Sequence, residues 1–140
     1  WHIALKPGSD AAFALAVMHV MIREGLVDLD YVGRYAEGYE ELKVRAQDYS
    51  PSAVAEVTGI SPEETVRFAR EYAATQPSLL RPLIGIEHHR SGAMAFRTIA
   101  CLPILSGAWR HRGGGLSRST HALQYSTLNM RALTMPEVAK

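Results

Sequence analysis

The sequence has a single cysteine and no long apolar run, and each shortage excludes a class of protein. One cysteine in 140 residues cannot build an internal disulfide framework, a cysteine-ligated zinc site or an iron–sulfur site. The longest apolar run, 11–18, falls far short of the roughly 20 residues that a membrane-spanning helix requires. We therefore expect neither a disulfide-stabilised scaffold nor a membrane span.

An excess of charge of one sign is also absent. Fifteen Lys and Arg residues stand against 14 Asp and Glu residues, so the formal net charge is +1. That balance argues against a polybasic protein that binds nucleic acid or an anionic membrane surface. A signal peptide is missing too, and because the chain begins at Trp1 rather than at a methionine, we expect a piece cut from a longer protein.

The composition that remains is ordinary for a globular protein, with 47% hydrophobic and 21% charged residues. A chain of 140 residues predicts one domain that is large enough to bury a core. Neither an internal repeat nor a low-complexity linker divides the sequence. The predicted order is a strand–turn–helix unit over 1–25, a helical segment over 28–76, a strand–loop–helix unit over 78–107, and a glycine-rich loop and tail over 108–140.

Two segments are strongly apolar and are predicted to be the most buried helices. Ala11–Ile22 has His19 as its one polar residue, and Ala93–Leu105 has two polar residues, so neither offers a broad polar face to solvent. The clearest capping signal, Ser61-Pro62-Glu63-Glu64, predicts that the Ser61 hydroxyl accepts a hydrogen bond from the Glu64 amide. In such a capping box the Glu64 side chain also reaches back to the Ser61 amide.

Strand signals are few. Trp1–Lys6 alternates weakly and stops at Pro7-Gly8, and Ser78–Ile86 is apolar around Pro82, which excludes a regular central ladder at that point. We therefore predict an α/β, helix-rich fold with about six helices and two short strands, which we take to be parallel.

Two loops could carry chemistry, 6–10 and 85–91, because each lies between a predicted strand and a buried helix. Parallel α/β folds bind ligands at the carboxyl ends of strands, where helix N-termini present free N–H groups. Gly8 allows close backbone approach, and Asp10 can accept a hydrogen bond from a ligand. The run His88-His89-Arg90 suits phosphate or a polar heterocycle.

A purely structural interpretation of these loops stays open. Ser9 and Asp10 are common helix N-caps, and Gly8 can be a simple turn residue. By the same reasoning Cys101 is expected to be a small core residue, and His19 a hydrogen-bonded core histidine.

A series of motifs resembles the molybdopterin oxidoreductases of the dimethyl sulfoxide reductase superfamily, which includes formate dehydrogenases, nitrate reductases and polysulfide reductases. Lys6-Pro7-Gly8-Ser9-Asp10 with the helix to Ile22 resembles their strand–turn–helix, and Gly85–Gly92 resembles their second cofactor loop. The resemblance runs nearly end to end and continues through 24–32, 49–61, 105–109 and 113–115.

The resemblance implies a fragment of a catalytic subunit, from an αβα cofactor-binding domain. Such enzymes hold molybdenum or tungsten between two molybdopterin guanine dinucleotides for two-electron redox chemistry. By analogy Gly8, Ser9 and Asp10 would contact a guanosine portion. Ile84, Gly85, Glu87 and His88 would lie against a pterin. Many relatives have Asn-Gln-His where this sequence has Glu87-His88-His89, so it departs from the family pattern there.

Nothing in the sequence matches the family's metal-ligand segment, so we assign no catalytic residue and no metal ligand and expect the isolated fragment to be inactive. The implied partners are the remainder of the catalytic subunit and an electron-transfer subunit, with any iron–sulfur cluster outside this segment. The isolated fragment is expected to self-associate. The alternative is a non-enzymatic helical protein-interaction domain, which the many capped helices and the incomplete catalytic set would suit.

Overall fold

The computed structural model of the protein describes residues 1–118, and the predicted tail lies outside them. Two strands of two residues each, β1 (Leu79–Leu80) and β2 (Gly115–Leu116), pair in parallel. Short 3₁₀ helices cover Ile84–His88 and Ala108–Arg110. The α-helices are α1 (Asp10–Arg23), α2 (Leu29–Tyr35), α3 (Tyr39–Ala46), α4 (Pro51–Thr58), α5 (Pro62–Ala74) and α6 (Gly92–Leu105). The helix-rich α/β fold with about six helices and two short parallel strands is therefore confirmed for this part of the chain.

Helix α1 forms the centre of the core, as its apolar sequence predicts. Seven of its 14 residues are buried, and Met18 and Met21 are fully so. It packs against α3, α4, α5 and α6, so neighbours from within the chain cover it on several sides. Its polar residue His19 is half-buried, with Nδ1 3.0 Å from the carbonyl oxygen of Ala46, which satisfies the imidazole inside the helical layer.

Helix α6 is buried along only part of its length, so the prediction for it is half wrong. Within residues 1–118 its buried residues are Gly92, Leu102, Pro103 and Leu105, which lie mainly at its C-terminal end. Met94 in the first half is 57% exposed. Among the described residues, no helix is both long and apolar enough to cross a membrane.

One predicted strand is wrong and the other is much shorter than expected. Trp1–Lys6 forms no strand: the Lys6 amide donates to Thr58 O (2.9 Å), and Trp1 packs on Phe68 with ring centroids 6.1 Å apart. The segment therefore lies against α4 and α5 and pairs with no strand among residues 1–118. Ser78–Ile86 contributes only β1, because Pro82 has no N–H to donate and the chain then turns into a 3₁₀ helix.

The second strand is instead β2, within the glycine-rich segment. The Gly115 amide donates to Ser78 O at 2.9 Å, and the Ser117 amide to Leu80 O at 2.8 Å. A strand of two residues that begins with glycine carries no alternation of polar and apolar residues, so no sequence pattern predicts it.

Capping follows the sequence in part. The Ser61 hydroxyl accepts from the Glu64 amide at 3.1 Å, as predicted. The reciprocal half of the box is wrong, because the Glu64 carboxylate instead accepts from the Trp1 indole N–H at 3.2 Å. Ser9 and Ser91 stand at the N-cap positions of α1 and α6, but neither side chain makes a capping hydrogen bond.

Candidate functional site

The two loops singled out from the sequence meet in one cleft of about 460 Å³. The first loop, 6–10, forms one side of the cleft, and the segment that follows β1 forms the other. The lining residues are Leu5, Lys6, Pro7, Gly8, Asp10, Arg81, Pro82, Leu83, Gly85, Ile86 and His89. This juxtaposition occurs although the first loop follows no strand, since hydrogen bonds to the end of α4 hold that segment in place.

Gly8 and His89 are the point where the loops touch. Gly8 has a φ of +79°, a left-handed turn that favours glycine, and a Cβ built on it would lie 3.4 Å from Nδ1 of His89. The backbone turn and the imidazole therefore share one wall of the cleft.

Ser9 closes the first loop and does not line the cleft. Its hydroxyl donates to Lys6 O at 2.7 Å and its amide donates to the same oxygen at 3.1 Å. The residue is only 5% exposed. Ser9 thus shapes the turn, and its predicted role in contacting a cofactor would have to run through the backbone.

Asp10 is the first residue of α1, and its half-buried side chain lines the cleft. Among residues 1–118 its carboxylate makes no hydrogen bond or ion pair. The first hydrogen bond of α1 runs from the Phe13 amide to Ser9 O at 3.0 Å. The three preceding amides have no helical acceptor, so a free carboxylate and free N–H donors lie side by side.

The second loop brings fewer of its predicted residues to the cleft. Gly85 lines it, but Ile84, Glu87 and His88 do not. The Glu87 carboxylate pairs with the Arg118 guanidinium, and His88 is exposed. The structure therefore groups Gly8, Asp10 and Gly85 and separates them from the other predicted side chains.

One charged cleft residue, Arg81, was not selected from the sequence, whereas His89 belongs to the run His88-His89-Arg90 that the sequence offers for phosphate or a polar heterocycle. Arg81 was placed inside a strand ending at Ile86, although a strand that ends before Pro82 puts Arg81 at its carboxyl end, where ligands bind. Among residues 1–118 the Arg81 guanidinium makes no ion pair. With His89 it gives the cleft donors that suit an anionic group.

The cleft offers hydrogen-bonding and charged groups. The cleft holds no cysteine or serine nucleophile beside a base, and within residues 1–118 no group of His, Cys, Asp and Glu could hold a metal ion. Cys101 lies elsewhere, and burial raises the pKa of its thiol above the ordinary value.

A larger cavity of about 720 Å³, which we call the α6 groove, lies between α1, α3 and the exposed side of α6. Its walls are largely apolar and include Leu15, Leu42, Met94 and Cys101.

Comparison with known proteins decides the family. The chain is 42% identical over 141 residues to the probable oxidoreductase YoaE of Bacillus subtilis, covering 100% of this chain and 20% of YoaE. It is 34% identical over 129 residues to the thiosulfate reductase molybdopterin-containing subunit PhsA of Salmonella typhimurium, covering 91% of this chain and 17% of PhsA. The chain belongs to the molybdopterin oxidoreductases. Other relatives are named dimethyl sulfoxide reductases and formate dehydrogenases.

A solved structure agrees with that assignment. The acetylene hydratase from Pelobacter acetylenicus superposes with a TM-score of 0.72 at 32% identity, covering 74% of this chain and 14% of the hydratase. No protein-family model matches the chain. The chain spans a fifth or less of the length of these relatives, which is the coverage of an internal fragment.

Proposed function

We propose that the cleft binds the guanosine end of a molybdopterin guanine dinucleotide, and that the full-length protein is an oxidoreductase using this cofactor with molybdenum or tungsten. The observation that carries the proposal is the meeting of the two loops in one cleft beside the Asp10 carboxylate, which has no partner within residues 1–118. When bound, the metal–dithiolene cofactor supplies two-electron redox chemistry. The residues of this chain bind and orient one end of it.

The cleft fits a guanosine diphosphate portion chemically. Guanine carries N–H donors on its base-pairing edge, and the Asp10 carboxylate is an acceptor without another partner in residues 1–118. Arg81 offers charge and N–H groups to a diphosphate, His89 offers an imidazole N–H, and the amide of Asp10 at the start of α1 adds a donor. Gly8 leaves room for backbone approach.

The pterin contacts predicted for the second loop remain a proposal, and fewer residues support it than support the guanosine site. Gly85 alone among Ile84, Gly85, Glu87 and His88 lines the cleft. We therefore assign a backbone role to Gly85 and place the other three beyond the guanosine end of the site.

The names of the relatives include reductases, dehydrogenases and a hydratase, so the segment they share does not set the reaction. Cofactor binding is a role that all of them could share. The proposed partners are the remainder of the catalytic subunit and an electron-transfer subunit, with any iron–sulfur cluster outside this segment. A free-standing interaction domain is disfavoured, because the whole chain aligns with a segment of an oxidoreductase.

Replacing Asp10 in the full-length protein tests the proposal. Asp10→Asn keeps the shape of the side chain but removes its charge. A charge-assisted hydrogen bond contributes about 1.5–3 kcal/mol, so we expect cofactor affinity to fall about 10- to 100-fold. The measurement is the pterin that stays with the protein through gel filtration, with Asp48→Asn, an exposed carboxylate on another face, as the control. Equal retention in the parent and in Asp10→Asn would refute the role of Asp10.

A further inference from the structure

We infer that Lys6 is a positioning residue, which holds the first loop against the end of α4 and does not itself bind a cofactor phosphate. The inference rests on the proposed function, because the loop matters only if the cleft binds the cofactor. A lysine that lines a cleft for a diphosphate would ordinarily be assigned to the phosphate. The contacts of Lys6 indicate another use.

Lys6 bonds to two parts of the molecule at once. Its ammonium donates to Glu56 O at 2.7 Å, and its amide donates to Thr58 O at 2.9 Å. On the other side its carbonyl accepts both the amide and the hydroxyl of Ser9. Lys6 therefore connects the last turn of α4 to the turn that starts α1.

The α4 side of this connection is rigid. Thr58 is fully buried, and its hydroxyl donates to Val54 O at 2.9 Å and accepts from the Ile60 amide at 3.2 Å. The lysine ammonium thus meets a terminal carbonyl at the negative end of a helix, where cations are favoured.

Gly59 completes the contact with the lysine stem. It has a φ of +77°, and a Cβ built on it would lie 3.3 Å from Cγ of Lys6. The stem therefore packs over a glycine that ends α4. Any side chain at Gly59 would displace the stem without changing the charge of Lys6.

Asp10 depends on this arrangement because it directly follows Ser9. The two hydrogen bonds from Ser9 to Lys6 O fix where α1 begins, and so where the Asp10 carboxylate enters the cleft. Loss of the lysine anchor should displace the carboxylate and the free amides of α1 together.

The test compares two probes, guanosine and guanosine diphosphate, by calorimetry on the full-length subunit prepared without cofactor. Lys6→Met keeps much of the stem and removes the ammonium. A positioning role predicts that guanosine, which has no phosphate, weakens about tenfold, and that guanosine diphosphate weakens at least as much. A direct phosphate contact predicts that only guanosine diphosphate weakens, which would overturn the inference.

Two further variants separate position from charge. Gly59→Ala should weaken both probes, guanosine included, although it leaves the lysine in place, and Lys6→Arg should restore most of the affinity because it can donate to the same carbonyl. Thermal unfolding of each variant shows that it is folded. If Gly59→Ala does not fold, the Lys6→Met comparison decides alone.

The outcomes distinguish this inference from the proposed function. If Asp10→Asn weakens guanosine binding but Lys6→Met changes neither probe, the positioning role is wrong and the cleft assignment stands. If the parent binds neither probe, or Asp10→Asn leaves both unchanged, the proposed function fails, and this inference fails with it.

Discussion

Helices α1 and α6 have 14 residues each and lack a broad polar face, yet they differ in how much of each is buried. Seven residues of α1 are buried, against four of α6. Met18 of α1 is 0% exposed, whereas Met94 of α6 is 57% exposed. The two helices are therefore similarly apolar in sequence but are not equally buried in this chain.

The difference lies in where the neighbours come from. Helix α1 is surrounded by α3, α4, α5 and α6, whereas the first half of α6 borders the α6 groove, which has no further cover within residues 1–118. The chain spans only about a fifth of its relatives. The apolarity of α6 thus suits the larger subunit, in which we expect another segment to cover the groove. The self-association predicted for the isolated chain would use the same face.

The largest expected effect contrasts two methionines. In the 140-residue chain, Met18→Ala should lower the free energy of unfolding by about 3 kcal/mol, because it opens a cavity in a closed core. The matched Met94→Ala should cost less than about 0.5 kcal/mol, since that side chain is exposed. Urea unfolding followed by circular dichroism measures both. Equal costs would show that α6 is covered within the chain after all.

The C-terminal end of α6 is anchored better than its start, and Asp28 provides the anchor. The Asp28 amide donates to Leu105 O at 2.8 Å, and its carboxylate accepts from the Tyr31 amide and from Arg110. Asp28→Ala removes a helix cap and an ion pair, so we expect a loss of about 2 kcal/mol in the same unfolding experiment.

Asp48→Ala is the control for that loss. Within residues 1–118 Asp48 forms only an exposed pair with Arg45 at 4.0 Å, and its removal should cost less than about 0.5 kcal/mol. Similar losses for Asp28→Ala and Asp48→Ala would mean that the Asp28 side chain contributes no more than an exposed ion pair, and that the backbone bond to Leu105 O alone holds the end of α6.

Cover over the α6 groove can be measured directly in the full-length subunit. A Met94→Cys variant, with Cys101 replaced by Ala, should react with a maleimide about tenfold more slowly than the same substitution in the 140-residue chain, because burial limits access to the thiol. Equal rates in the two proteins would contradict the idea that another segment covers α6.

The smallest expected effect is a pH dependence of the stability that Asp28 contributes near the C-terminal end of α6. Hydrogen bonds from the Arg110 guanidinium and then from the Tyr31 amide hold the pKa of Asp28 below its ordinary value of 3.8. The resulting stability is complete above the unfolded pKa and is lost as the pH falls through the folded one. Between about pH 5 and pH 3 the parent should therefore lose more stability than Asp28→Asn. Parallel curves would show that this carboxylate contributes no pH dependence.

Local signals and the motif series predicted the helices and the two loops, because caps such as Ser61 and apolar runs such as Ala11–Ile22 act over short distances. The partner of β1 could not be predicted, since β2 is two residues that only tertiary contact turns into a strand. Arg81 was missed for a related reason. Its place in the cleft follows from a strand that ends at Leu80 and a chain that turns into a 3₁₀ helix after Pro82, which no periodicity encodes.

The most direct measurement is a structure of the full-length subunit with its cofactor bound. The account predicts a guanosine portion in the cleft, with the Asp10 carboxylate accepting hydrogen bonds from the base and Lys6 still bonded to Glu56 O. A cleft filled by another protein segment, with the cofactor held elsewhere, would contradict it.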